Sequence, residues 1–223
     1  MRVWPGMSAA PRRAVKIARN AVRDLRYRGL LAGTVRTRYA RLGAHHTTNS
    51  DYDDLPALFG AARLRADDVI VDVGCGKGRV INWLLAHHPG NRVYGIELDP
   101  EIAAATERRL RRYPAVRIIC GDASTLLPPE ATVFYLFNPF DEPVMRRFAQ
   151  AVLALDDAPG VPERRIVYYR SNYLEPFRES DRFAIEPIAL ATPVHQAALI
   201  TVRTAGPAPP PSRQGARNDR LGS

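Results

Sequence analysis

The stretch Val69–Arg79, VIVDVGCGKGR, decides the fold. Its first five residues are valine and isoleucine around one acid, Asp72. Such a run reads as a strand covered on both faces, as central strands of a parallel sheet are. Gly74, Gly76 and Gly78 then alternate, and Arg79–His88 has a helical pattern stopped by Pro89-Gly90. Glycines suit a place where the chain turns sharply and a ligand approaches the backbone. The helix that follows offers free N–H groups at its start. A dinucleotide loop spaces its glycines as G-x-G-x-x-G. Here the spacing is G-x-G-x-G, with an acid two residues ahead of the first glycine.

Working outward, the alternation continues. Arg92–Glu97, Val116–Cys120, Thr132–Phe137 and Arg165–Arg170 read as further strands, with helices over Pro100–Tyr113 and about Pro143–Leu155 between them. The first of those helices opens on Pro100 and Glu101 and closes on Arg108, Arg109, Arg111 and Arg112, the signs that the helix dipole favours at each end. Phe183–Leu190 and Ala197–Arg203 read as two adjacent strands with no helix between them. The expected fold is α/β: a Rossmann-like three-layer sandwich with a mostly parallel seven-stranded sheet and an antiparallel edge strand, preceded by a basic helix.

Two more acids fall at strand ends. Glu97 lies 23 residues after Gly74, close to the offset at which an acid holds a ribose diol. Asp122 follows the third strand in IICGDAS, where it either contacts a ligand or caps the turn. Asp99 is expected to cap the next helix. Ligands of open α/β sheets bind outside the carboxyl ends of the strands, and all these features sit at such ends.

Hydrophobic-Asp-x-Gly-x-Gly-x-Gly resembles motif I of class I S-adenosylmethionine (SAM)-dependent methyltransferases. The resemblance spans about Tyr52–Arg203. It implies SAM as cofactor, with Asp72, Gly74, Cys75, Gly76 and Gly78 around its methionine and ribose portion. It further implies that Glu97 holds the ribose, that Asp122 accepts from the adenine amine and that the backbone N–H of Ala123 touches the adenine ring. After the fourth strand, Asn138-Pro139-Phe140 resembles the (Asn/Asp)-Pro-Pro-(Tyr/Phe) motif of enzymes that methylate planar nitrogen, with one proline in place of two. That likeness implies methyl transfer to a nitrogen. The Asn138 oxygen and the next carbonyl would hold the target N–H groups, and the Phe140 ring would stack on the target. GCGKGR with YLFNPF looks most like bacterial methyltransferases of undefined substrate.

The 223 residues carry a net charge of +9, and it is unevenly placed. Arg12–Arg41 holds ten basic side chains and a single acid, Asp24, while the body beyond it is near neutral. Arg12–Leu31 is expected to form an amphipathic helix. It has three readings: packed on the body by its apolar stripe, bound to nucleic acid, or laid on an anionic membrane through residues 12–41. The organisation expected is a basic arm over 1–50, a methyltransferase domain over 51–204 and a disordered Pro-rich tail over 205–223. No run is long and apolar enough for a membrane span, and two cysteines, Cys75 and Cys120, make no disulfide framework, so a cytoplasmic protein is expected. The pairs His45-His46 and His87-His88 lack metal-ligand spacing and no metal site is expected; His195 reads as structural. Tyr52 is a candidate lid residue, and Tyr168, Tyr169, Arg170 and Asn172 candidates to touch the acceptor. The methyl acceptor stays open between protein, small molecule and RNA. The rival functional reading is a SAM-binding adaptor without transferase activity; glycine spacing disfavours an NAD(P) enzyme.

Overall fold

The computed structural model describes residues 9–26, 29, 31, 33, 38–39, 41, 43–45, 49–155, 163–190 and 196–203. The 205–223 tail and His195 lie outside the described residues, as does part of the 1–50 arm. The elements in chain order are α1 (Ala9–Leu25), α2 (Leu55–Ala62), β1 (Val69–Val73), α3 (Arg79–His87), β2 (Arg92–Glu97), α4 (Pro100–Leu110), β3 (Val116–Cys120), β4 (Val133–Phe137), α5 (Glu142–Leu155), β5 (Arg164–Tyr169), α6 (Glu175–Arg178), β6 (Phe183–Pro187) and β7 (Ala197–Val202). They form one seven-stranded sheet in the order β3-β2-β1-β4-β5-β7-β6. β1 to β5 run parallel to one another, while β7 lies antiparallel between β5 and β6. The expected architecture is therefore present, with the antiparallel strand inserted one place in from the edge.

Side-chain alternation along the strands divides the core into two layers. Val71, Val73, Phe134, Leu136 and Ile166 face α5 and α6, where they meet Met145, Phe148, Val152 and Phe177. Ile70, Val93, Val133, Tyr135 and Val167 face the other way, against Leu55, Leu58 and Phe59 of α2 and Ile81 and Leu84 of α3. α4 starts where Asp99 caps it, accepting from the N–H groups of Glu101 (2.9 Å) and Ile102 (3.3 Å). Strand order reverses between β1 and β4, so the crevice of the sheet opens beside the glycine loop.

The arm corrects an expectation. α1 ends at Leu25 rather than Leu31, and it docks by its charged side, not by its apolar stripe. Lys16 pairs with Asp51, and Arg19 and Arg23 pair with Asp53. Asp24, fully buried, receives a two-pronged bond from Arg79, Nε at 3.1 Å and Nη2 at 2.6 Å, and a third from the Tyr52 hydroxyl at 2.9 Å. The reason is electrostatic. The body presents carboxylates at 51 and 53 and a guanidinium at 79 that is itself buried, and the arm's single acid neutralises that guanidinium. Val15, Ile17, Val22 and Leu25 are left 53–61% exposed. Among the described residues, no helix is long and apolar enough to cross a membrane.

Removing Asp24 would strand a buried guanidinium. Asp24→Ala should lower stability by about 3–5 kcal/mol, read as a shift of the urea midpoint. The paired change Asp24→Leu with Arg79→Met should lose much less, because neither charge is then left alone.

Candidate functional site

The site is built from the turn that ends β1. The N–H groups of Gly74 and Cys75 both donate to the Ile96 carbonyl on β2, at 2.9 and 3.0 Å. This folds the chain back across β2 and brings the Gly76 N–H to Glu97 Oε2 at 2.8 Å. Gly78 caps α3 with φ 73°, and a Cβ there would come within 3.1 Å of Thr106 and Arg109 on α4. Gly74 has φ 71°, and its Cβ would meet Pro139 at 3.0 Å. Both positions therefore demand glycine for conformation and for close approach. α4 braces the loop from outside: Thr106 Oγ1 donates to the Gly76 carbonyl (2.9 Å) and Arg109 Nη2 to the Lys77 carbonyl (2.6 Å).

Two carboxylates border this loop. Glu97 is buried, and its Oε1 accepts from the Asp99 N–H (2.9 Å) while Oε2 accepts from Gly76. Burial raises its pKa, although those two amides pull the other way. Asp72 is only 3% exposed, and its Oδ2 has no hydrogen-bond partner among the described residues. Burial first, and Glu97 second, push the Asp72 carboxyl up to about 8. In register it lies between Gly95 on β2 and Tyr135 on β4. Its partnerless oxygen beside a second acid is suited to a cationic ligand, which would lower the cost of holding two negative charges together. Asp122, half-buried beyond β3, spends Oδ1 on the Ser124 N–H and hydroxyl, both at 2.8 Å. The turn-capping reading of Asp122 therefore holds for that oxygen.

Three sequence-derived candidates turn inward. The Cys75 thiol packs into the core, where a Cβ on Gly95 would come within 2.8 Å of it, and burial drives its pKa well up. The Ala123 methyl belongs to the core on the α5 face, while the resemblance assigns the adenine contact to its backbone N–H. Phe140 is also 7% exposed and packs on Phe148, ring centroids 5.8 Å apart, so it offers no open face for stacking. Its position after a strand end gave no hint of this. Only the placement of α5 decides it.

Asn138 and Pro139 stay at the rim. Asn138 has φ 43°, a left-handed conformation that asparagine tolerates better than most residues. Residues 43–45 run beside 138–141: Ala44 bridges Phe140, the His45 N–H donates to the Pro139 carbonyl (2.9 Å), and the Asp141 N–H donates to the Gly43 carbonyl (2.8 Å). His45 Nδ1 lies 2.8 Å from the Asn138 carbonyl oxygen. The same Nδ1 lies 3.2 Å from Asn138 Nδ2, a donor; the shorter contact, to a carbonyl that can only accept, favours the tautomer with the proton on Nδ1, in which Nε2 keeps its lone pair. The Tyr168 hydroxyl donates to Asn138 Oδ1 at 3.0 Å. The oxygens that the nitrogen-methylating motif would turn toward a target are thus bonded within the chain. His45, Ser50 and Tyr135 had no sequence signal. Ser50 Oγ and the Tyr135 hydroxyl lie 2.7 Å apart under the arm, and Tyr135 feels the Asp72 charge. Tyr52 is buried on Asp24, and Tyr169 donates to Asp54 (2.7 Å), so both act as braces. Among the described residues no group of acids, histidines and cysteines could hold a metal ion.

Comparison with known proteins agrees with this geometry. Residues 70–155 match a family model described as a methyltransferase domain. Ribosomal RNA small subunit methyltransferase A of Myxococcus xanthus is 36% identical over 76 residues, 34% of this chain and 25% of that protein. Trans-aconitate 2-methyltransferase of Rhizobium meliloti is 36% identical over 67 residues, 30% of this chain and 25% of that protein. The chain thus spans about a quarter of the length of these curated relatives. An RNA methyltransferase from Salinibacter ruber, solved with S-adenosyl-L-homocysteine, shares the fold at a TM-score of 0.53 and 21% identity, over 72% of this chain and 97% of that one.

The raised Asp72 pKa sets a pH dependence. The native state binds this proton more tightly than the unfolded chain, whose Asp titrates near 3.9. Stability from this group is therefore full below about 3.9 and is lost as pH rises through about 8. Asp72→Asn should be more stable than the parent by on the order of 1–3 kcal/mol at mildly alkaline pH. The gap should close as the medium is acidified, followed by thermal melts across pH.

Proposed function

We propose that this chain, whose residues 70–155 match a methyltransferase-domain model and whose fold is that of SAM-dependent methyltransferases, is a class I SAM-dependent enzyme that methylates a nitrogen of an acceptor molecule. The observation that carries the SAM reading is the Asp72 carboxylate, buried with a partnerless oxygen beside Glu97 at the tip of β1. The cofactor brings an electrophilic methyl group on a sulfonium and leaves as S-adenosylhomocysteine. Asp72 would face the positive charge of the bound cofactor, and Gly74, Gly76 and Gly78 would keep the loop low enough for its close approach. Glu97 has lone pairs left for two ribose hydroxyls, and the second oxygen of Asp122 is suited to an adenine amine.

On the acceptor side, Pro139 rests against Gly74, and Asn138 and His45 lie next to it. His45 Nε2 takes the proton that the attacking nitrogen must shed, and the Asn138 carbonyl holds the imidazole in the tautomer this requires. Asn138 acts by fixing His45, in contrast to the direct contact that the motif resemblance implies. RNA, a protein side chain and a small molecule all remain acceptors to test, and relatives named for ribosomal RNA support trying RNA first.

Incubating the protein with methyl-labelled SAM and cell extract should label one class of acceptor at nitrogen. SAM binding with no transfer to any acceptor would instead identify an adaptor. In calorimetry, Glu97→Ala should weaken SAM by about tenfold or more, as expected when charged hydrogen bonds worth roughly 1.5–3 kcal/mol are lost. His45→Gln should leave SAM affinity unchanged and lower kcat by about 100-fold. An unchanged kcat would remove His45 from the chemistry.

A further inference from the structure

α1 is inside out. On a helical wheel of 3.6 residues per turn, Ala14, Val15, Ile17, Ala18, Ala21, Val22 and Leu25 fall on one half, and Lys16, Arg19, Asn20, Arg23 and Asp24 on the other. The charged half faces the body and is held there by Asp51, Asp53 and Arg79. The apolar half faces solvent, with Val15 58%, Ile17 53%, Val22 61% and Leu25 56% exposed. Arg26 lies exposed at its margin, and Arg12–Arg41 as a whole carries a net +9. A monomeric domain rarely leaves a contiguous apolar face of this kind to water without a use.

We propose that this face is an in-plane anchor for an anionic lipid surface. The helix would lie between the protein body and the bilayer, apolar half sunk among the acyl chains, with Arg26 at its margin meeting phosphate headgroups. Charge complementarity selects this occupant over the others. Nucleic acid would be met by the basic half, but Lys16, Arg19 and Arg23 are engaged with carboxylates, and what faces outward is four aliphatic side chains with Arg26 at their margin, which matches an apolar interior under an anionic surface and not a polyphosphate. A second copy would be met face to face. However, one helix offers roughly a few hundred Å², short of the roughly 800 Å² that each partner contributes to a stable interface. The helix is an interfacial element and not a span, in keeping with the absence of any membrane-crossing helix among the described residues. This inference goes beyond the methyl-transfer reading and does not depend on it.

The test is flotation of the full chain with phosphatidylcholine vesicles with and without phosphatidylglycerol. Binding should be about tenfold tighter to the anionic vesicles. It should be abolished in Ile17→Ser/Val22→Ser/Leu25→Ser, whose altered side chains are exposed and leave every ion pair of α1 in place. The thermal melt of that variant should match the parent. The proposal is overturned if the parent does not float, if both vesicle types bind equally, or if the triple variant floats like the parent. It is also overturned if light scattering shows a dimer that the triple variant dissolves, or if the parent binds RNA and the triple variant does not.

Discussion

The amides of Gly74 and Cys75 converge on one carbonyl, that of Ile96. A strand that continued straight would offer alternate amides to alternate neighbours. Here two consecutive amides share one acceptor, and the chain must leave the sheet and turn over the end of β2. Everything at the rim follows from that turn. The Gly76 amide reaches Glu97, Gly78 caps α3, and Asp72 is buried below the loop with Tyr135 to one side. The turn is tight enough that Pro139 on one side and α4 on the other would each meet a Cβ at about 3 Å. The loop is therefore clamped between β4 and α4 rather than free to adapt.

The cost of this arrangement is electrostatic. Two acids lie buried close together, and the carboxyl of Asp72 responds by holding its proton to about pH 8. Such a site is less stable alone than with a positively charged ligand in it, a trade common where chemistry is done. The same economy governs the arm. Arg79, the first residue of α3, is too buried to be solvated, and Asp24 arrives from 55 residues earlier in the chain to pair with it. The arm is thus fastened to the very helix whose start forms the glycine loop, and its apolar side is left outward as a consequence.

The second constraint is the pairing of residues 43–45 with 138–141. It brings a histidine from the arm to an asparagine after β4, and it satisfies the oxygens of Asn138 and Pro139 from within the chain. The short motif Asn138-Pro139-Phe140 is thus engaged within the chain: Phe140 in the core, Pro139 against Gly74, Asn138 bonded to His45 and Tyr168.

The sequence by itself determined the sheet, its parallel strands and the loop at the end of β1. These are local properties: β-branched runs for buried strands, glycines for left-handed turns, and a cap such as Asp99 for a helix start. It also placed Asp72, Glu97 and Asp122 at neighbouring strand ends, because strand ends are readable from where apolar runs stop. Only the tertiary structure decided which way side chains point and what they meet. The periodicity of α1 revealed two faces but not which one the body would take. That choice rested on Asp51, Asp53 and Arg79, carboxylates and a guanidinium distant in sequence and close only once the sheet has formed. Cys75, Ala123 and Phe140 occupy motif positions yet turn into the core, and His45 carries no motif yet stands at the rim. In each case the deciding partner comes from another element, and a one-dimensional pattern holds no record of long-range contact.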